Sequence, residues 1–415
     1  MDGLTLTMPR WIILIPEGID RGFRVHTRYE PPYRYYPKPL DSFLIRKEPE
    51  GSGEGLETCV ATLSKSLMNK PNPRVAVVLF NLGGPDGPRA VRPFLEALFS
   101  DPAIISAPWI VRRPLAALIA RVRERSAIAN YAVMGGGSPI LAETRAQAQA
   151  LEPVLREAIP QTTIKTFIAM RYWQPLTAEV AAEVADFGPD EIVLAPLYPQ
   201  FSTTTTASSL AAWDEAYQGP GRVHALCCWY DNPGLIEAHA VRIQWTWEAA
   251  GRPRVRLLFS AHGLPEKIAS SGDPYQWQVE ATCALVAERL GPSWDWQICY
   301  QSRVGPLKWL GPSTPEAIEA AGNEGIGVLI DPIAFVSEHI ETLVELDRDY
   351  AELAVRHGVP AYLRAPVVGI EPNFIEGLAG AIRRALERVG VSPDGRPCPT
   401  GSTRCGRRLC GGMAP

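Results

Sequence analysis

A chain of 415 residues, 46% hydrophobic and 21% charged, has material for two to three soluble domains. Its formal net charge of −4 gives no electrostatic reason to expect nucleic acid. No run reaches the roughly 18 apolar residues of a membrane span, and "WIILIP" near the N-terminus is too short and too soon followed by Glu17 and Asp20 for a signal peptide, so a cytoplasmic, reducing setting is expected.

Residues 1–70 hold "YEPPYRYYPKP" and "EPEGSGEG", rich in proline, glycine and charge, and read as a poorly ordered extension, with Met68 as an alternative start. From Pro71 onward the pattern is strand, turn, helix. The strands expected are 74–84, 163–172, 190–199, 222–230, 254–263, 294–303, 325–335 and 361–369. The helices expected between most of them are 141–158, 175–187, 234–250, 275–290 and 374–389. Continuous apolar strands alternating with helices predict parallel sheets covered on both faces. "RVAVVLFNLGGP" (74–85) is echoed by "RVRLLFSAHGLP" (254–265), and "AMRYWQP" by "CYQSRVGP". The reading is therefore α/β, with two similar domains at 71–221 and 222–392 joined near Gly219–Arg222, and a cysteine-bearing tail at 393–415.

In open parallel sheets ligands bind at the carboxyl ends of strands. The expected strand ends carry Asn81, Arg171, Tyr172, Tyr198, Gln200, His262, Gln301, Ser302 and Arg303. "NLGGPDGP" has the spacing of neither the dinucleotide fingerprint nor the P-loop. His262 ends an otherwise apolar strand, where a structural cap and an active imidazole answer the same pattern. "FVSEHIETLVELDRDY" (335–350), read as a helix from near Ser337, puts Glu338, Glu341 and Glu345 on one side. Such a row is either a solvated acidic face at a helix N-terminus or a set of carboxylates suited to a divalent cation or to departing protons.

"FNLGGPD", "GGGSPI", "YPQFS", "FSAHGLP", "YQSRVGPLKWLGP" and "FVSEHIETLVELD" resemble the ferrochelatase family, in the family's order, over about residues 71–390. The resemblance implies a chelatase fold of two Rossmann-like domains, each a parallel sheet flanked by helices, with a porphyrin cleft between them. It implies insertion of Fe2+ into protoporphyrin IX with release of two protons. It assigns catalysis to His262 and Glu341, and metal handling to His262, Glu341 and Glu345, with His339 beside them. It places Leu82, Tyr131, Ser138, Arg171, Tyr172, Ser302 and Trp309 along the porphyrin. An imidazole titrating near neutrality suits a pyrrole proton. Carboxylates suit a loosely held ferrous ion. Base is favoured over iron ligand for His262.

Stretch 102–123 mixes Ile104, Ile105, Trp109, Ile110, Leu115 and Leu118 with Arg112, Arg113, Arg121 and Arg123. The family's hydrophobic lip maps here, and a greasy, basic lip suits peripheral contact with an anionic bilayer, the inner face of the plasma membrane. A core helix with snorkelling arginines is the plainer alternative. The tail holds Cys398, Cys405 and Cys410 in no common zinc-finger spacing. Some ferrochelatases bind a [2Fe–2S] cluster through three such cysteines and one from the body. Thr203 stands where animal relatives place that fourth ligand, which leaves Cys227 or Cys228, with Cys228 taken here. A cobaltochelatase of the same fold and a two-lobed binding protein are the rival readings. Oligomeric state is not legible.

Overall fold

The computed structural model of the protein describes residues 70–387 and, for the backbone alone, residues 13–15 and 24–26. The expectation for the N-terminal extension therefore lies almost wholly outside the described residues, as does that for the tail. The exceptions are β1 (Ile13–Ile15) and β2 (Arg24–His26), an antiparallel pair.

β3 (Arg74–Asn81) is buried at every residue after the first, as a strand covered on both faces must be. It is followed by α1 (Val91–Phe99), α2 (Trp109–Val133) and α3 (Ile140–Ala158), then β4 (Thr163–Met170), α4 (Thr177–Phe187), β5 (Glu191–Pro196), α5 (Thr206–Ala216) and β6 (Arg222–Ala225). These four strands form one parallel sheet in the order β4-β3-β5-β6.

The second half runs α6 (Pro233–Ala249), β7 (Val255–His262), α7 (Glu266–Ser270), α8 (Tyr275–Leu290), β8 (Trp296–Gln301), α9 (Thr314–Asn323) and β9 (Gly327–Asp331). A π-helix over Glu341–Tyr350, α10 (Ala351–Arg356), β10 (Tyr362–Arg364) and α11 (Pro372–Glu387) complete it. Its parallel strands are ordered β10-β9-β7-β8, with the β1–β2 pair added antiparallel on the β10 edge. Numbered within each half, both sheets read second-first-third-fourth. Two halves echoing each other in sequence thus share one topology.

The halves are not separate bodies. Leu378 and Ile382 of α11 share a core with Val75, Val77 and Leu79 of β3 and Leu151 and Leu155 of α3, so the last helix closes a face of the first sheet. Polar seams join the lobes too. Asn81 Nδ2, which donates to Thr144 Oγ1 of its own lobe at 3.0 Å, also donates to Ser337 Oγ at 3.4 Å, and Gln147 Nε2 donates to the Val336 carbonyl at 2.6 Å. All four side chains are buried, so each bond is made in a low dielectric and would be costly to leave unmade.

The expected strand 222–230 stops at Ala225. Cys227 and Cys228 therefore follow the strand rather than belong to it. Cys227 packs with Phe201 and Ala207, while Leu226 N donates to the Leu194 carbonyl at 2.8 Å and Trp229 N to the Pro199 carbonyl at 2.9 Å.

Candidate active site

β7 is buried from Leu257 to Ala261 and ends on His262. The next residue has to be glycine. A Cβ at Gly263 would stand 2.7 Å from the Gln301 carbonyl oxygen and 3.2 Å from Trp309 Cε3. The turn also fixes the imidazole. His262 Nδ1 lies 2.6 Å from the Gly263 carbonyl oxygen, which only accepts, so Nδ1 carries the proton and Nε2 is the basic nitrogen.

Nε2 of His262 stands 3.5 Å from Glu341 Oε1. The other oxygen of that carboxylate, Oε2, stands 3.4 Å from Nε2 of His339. His339 is oriented in the same way, its Nδ1 3.0 Å from the Ser337 carbonyl. One carboxylate thus lies between two imidazole nitrogens. Burial opposes a charge on His262, but the Glu341 carboxylate outweighs it and His262 is pushed up to about 9. Burial likewise opposes ionisation of Glu341, and His262 first, then His339, hold it well below the usual carboxylate range. The resting pair is an imidazolium and a carboxylate.

Glu341 opens the π-helix. Its wide turn, with i to i+5 bonding, is a form concentrated at functional sites. Gln301, fully buried at the end of β8, supports this helix by donating through Nε2 to the Glu341 carbonyl at 2.9 Å and to Glu345 Oε2 at 3.1 Å. Glu345 is tied to the loop after β8, and its charge also acts on His262. Its oxygens accept from Ser302 N at 2.8 Å, Ser302 Oγ at 2.5 Å and Tyr350 Oη at 2.6 Å.

Leu82, Tyr131 and Tyr172 of the first lobe share an apolar cluster with Ile340, the residue before Glu341. Burial, and then the nearby Glu341 carboxylate, push the Tyr131 hydroxyl up. The first lobe's Leu82 and Tyr131 and the second lobe's His262 and Glu341 therefore meet in one place. Trp309 covers Gly263, and Ser138 packs on Gly84. Arg171 and Tyr172 are both tied to Asp101. Asp101 Oδ2 accepts from Arg171 Nη2 at 2.7 Å, from Tyr172 Oη at 2.9 Å and from Ser208 Oγ at 2.5 Å.

The acidic row is arranged differently from the expected helix. Glu338 lies before the helical segment, and its Oε1 takes Arg364 Nη1 at 2.6 Å. Arg364 also holds Asp347 through Nε at 2.6 Å and Nη2 at 2.5 Å. A π-helix preceded by a loop breaks the 3.6-residue period on which the expectation rested. This buried triad was missed by the sequence reading, although a charged residue inside the apolar run "AYLRAPVVG" was its signal. Glu143, on α3, was missed as well. Burial, then the charge of Glu338, push its carboxyl up to about 7.

The helix α2 exposes Trp109, Ile110, Val111, Leu115, Leu118 and Val122 beside exposed Arg113 and Arg121, so stretch 102–123 is not a core helix. No helix among the described residues is long and apolar enough to cross a membrane. Cys398, Cys405 and Cys410 lie outside the described residues. Cys227 is buried. Cys228, half-buried, accepts from Gln278 Nε2 at 3.5 Å. Among the described residues no group of three or more His, Cys, Asp or Glu is gathered as a metal cage.

The ferrochelatase family model matches residues 74–386, which include every element of both sheets from β3 to β10. The chain belongs to the ferrochelatase family. It is 60% identical over 337 residues to the ferrochelatase of Phenylobacterium zucineum (strain HLK1), covering 81% of this chain and 98% of that one. It is 61% identical over 339 residues to the ferrochelatase of Caulobacter vibrioides (strain NA1000 / CB15N), covering 81% and 95%. Among solved structures, SirB from Bacillus subtilis with Fe3+ is similar at a TM-score of 0.46 and 12% identity, over 76% of this chain and 96% of that one. The fold assignment rests on the two sheets themselves.

Proposed function

We propose that the protein inserts Fe2+ into protoporphyrin IX, releasing two protons, as the last step of haem synthesis. The observation that carries this reading is the row His262–Glu341–His339 beside Leu82 and Tyr131, in a chain of this family. Protoporphyrin carries two pyrrole N–H protons that must leave before the metal can sit in the ring plane. Bending the macrocycle exposes them and brings the substrate toward its transition state.

His262 Nε2 is the nitrogen that accepts a pyrrole proton. At neutral pH it already holds one, so that proton must first leave to solvent before a pyrrole proton is taken up. A ferrous ion approaching the site lowers the proton affinity of its neighbours and favours this release. Glu341, ionised and bridging two imidazoles, offers a hard oxygen to the arriving ion and a path for protons toward His339. Glu345, held by Ser302 and Tyr350, acts farther along the row. Leu82, Tyr131, Ser138, Ser302 and Trp309 form the walls on which the porphyrin lies. Arg171 and Tyr172, tied to Asp101, shape the wall rather than reach for the substrate.

The exposed apolar face of α2 with its arginines supports peripheral contact with an anionic membrane surface, from the cytoplasmic side. A [2Fe–2S] cluster would take Cys398, Cys405 and Cys410, with Cys228 as fourth ligand. Cys228 is half-buried and so more accessible to a ligand than Cys227, which is buried. Its role would be structural, because metal insertion transfers no electron. Iron and acid-labile sulfide in protein purified without air, lost in Cys228→Ser, test it; a colourless, iron-free protein refutes it.

The central test is an anaerobic assay with Fe2+ and protoporphyrin IX, read by absorption spectrum. The haem spectrum should appear with the wild type and not with His262→Ala, which should still bind porphyrin. Near-normal turnover of that variant would refute the role given to His262.

A further inference from the structure

His262 is held from behind by a chain of hydrogen bonds that starts in the other lobe. The loop after β5 enters the second lobe at Phe201–Thr203, where Phe201 N donates to Gln278 Oε1 of α8 at 2.7 Å. The next two residues converge on Asp273, just before α8. Its Oδ2 accepts from Ser202 Oγ at 3.0 Å, from Thr203 N at 2.7 Å and from Thr203 Oγ1 at 2.7 Å. Its Oδ1 accepts from Tyr275 N at 2.9 Å. Asp273 and Tyr275 are both buried. From the first turn of α8, Tyr275 Oη donates to the carbonyl oxygen of His262 at 3.1 Å. The peptide after that carbonyl is pinned on its other side, Gly263 N donating to the Gln301 carbonyl at 2.7 Å. Gly263 O in turn orients the imidazole.

We propose that Asp273 is a positioning residue for His262, acting through Tyr275 and setting the imidazole against Glu341 according to the placement of the first lobe. The proposal rests on the role given above to His262 and adds to it a residue that touches neither porphyrin nor metal. The carboxylate is specifically required. Three donors meet at Oδ2, and a backbone N–H, unlike a hydroxyl, cannot reverse its bond. An asparagine has to turn its NH2 either on Thr203 N or on Tyr275 N, and either choice breaks the chain. The phenol of Tyr275 is likewise required, because it is the only atom of that side chain that reaches the His262 carbonyl.

The test compares Asp273→Asn, Tyr275→Phe and the double variant with wild type and His262→Ala. Tyr275→Phe removes one oxygen and nothing from the core, so it keeps the proposal testable if Asp273→Asn folds poorly. Both single variants should lower kcat about tenfold or more, as misplacement of a reacting group does. KM for porphyrin should stay within about twofold, since no substrate contact is lost. The double variant should cost no more than the worse single variant, because both break one chain. A second readout does not use turnover. With 15N-labelled histidine, the His262 resonances, assigned by their loss in His262→Ala, should move in both single variants. Unmoved His262 resonances together with unchanged kcat would overturn the positioning role, as would additive losses in the double variant. Full activity of His262→Ala would instead refute the role of His262 itself, while the resonance shifts would still report on the chain of bonds.

Discussion

Arg364→Met removes one cation from between two buried carboxylates. Arg364 is 5% exposed, and its guanidinium makes two bonds to Asp347, at 2.6 and 2.5 Å, and one to Glu338, at 2.6 Å. Methionine fills similar space, so the loss is electrostatic rather than a cavity. Breaking a buried pair in this way costs about 3–5 kcal/mol, because the abandoned charges stay desolvated. The sign of the pH dependence follows. Burial already raises Asp347 above its ordinary value against the pull of Arg364. Without that pull its folded pKa rises further above the unfolded one, so the folded state takes up the proton first as pH falls. The stability deficit of the variant should therefore be largest near pH 8 and shrink toward about pH 5. Arg364→Lys keeps the charge without the fork to Asp347 and should lose less, about 1–2 kcal/mol. The triple variant Arg364→Met, Glu338→Gln, Asp347→Asn should recover part of the loss, since no unpaired charge remains. Urea unfolding of each variant across this pH range is the assay. A loss for Arg364→Met of less than about 1 kcal/mol, the worth of an exposed pair, would refute the reasoning, and so would a deficit that does not change with pH.

Three further outcomes are expected. In Glu341→Gln the charge that holds His262 near 9 is gone and burial acts against the imidazolium, so the His262 titration, followed by NMR, should fall to its ordinary value or below. Gly263→Ala forces its Cβ against the Gln301 carbonyl and Trp309, so it should destabilise by about 1–3 kcal/mol in urea unfolding and also lower kcat, because the shifted turn is the one that orients His262. Trp109→Asp with Val122→Asp should reduce sedimentation with anionic lipid vesicles and leave turnover on detergent-dispersed porphyrin unchanged, since both side chains are more than half exposed on α2, with 63% and 73% of their surface open.

The parallel sheets were legible because buried parallel strands are written as apolar runs, and β3 and β7 stand out on that ground alone. Their ends were overdrawn. The run 222–230 stays apolar past Ala225 because Cys227 and Trp229 are buried although the strand has ended. The helix α5 went unread because "TASSLAAWDEA" opens on threonine and serines, poor helix formers whose polar atoms are buried here. In α9 a real signal was passed over, the box in which Ser313 and Glu316 cap each other. At the site, His262 and Glu341 were legible from motif and strand end. The π-helix was not, since a carboxylate row fits α and π turns alike. Asp273 and Arg364 were not either, because their partners lie 70 and 26 residues away in sequence and only the folded lobes bring them together.

The repeated topology explains how one fold supplies unlike walls to one site. Aligned by their echo, "RVAVVLFNLGGP" and "RVRLLFSAHGLP" place Leu82 opposite His262 and Gly83 opposite Gly263. The sheets agree with this alignment, since Asn81 pairs with Met170 in the first and Ala261 with Tyr300 in the second. Each lobe therefore offers the residue just past its first strand's core, followed by a glycine turn packed against a tryptophan, Trp173 in one case and Trp309 in the other. The backbone at the two glycines differs, Gly83 having a φ of +83° and Gly263 lying outside the left-handed region, and so do the side chains presented. One lobe presents an apolar Leu82 in a cluster with Tyr131 and Ile340, and the other an imidazole charged by Glu341. A flat, largely apolar macrocycle with protons at its centre needs both kinds of surface at once. A duplicated lobe meets that need by changing residues at the matching end of its first strand, where a close-packed glycine follows in both copies.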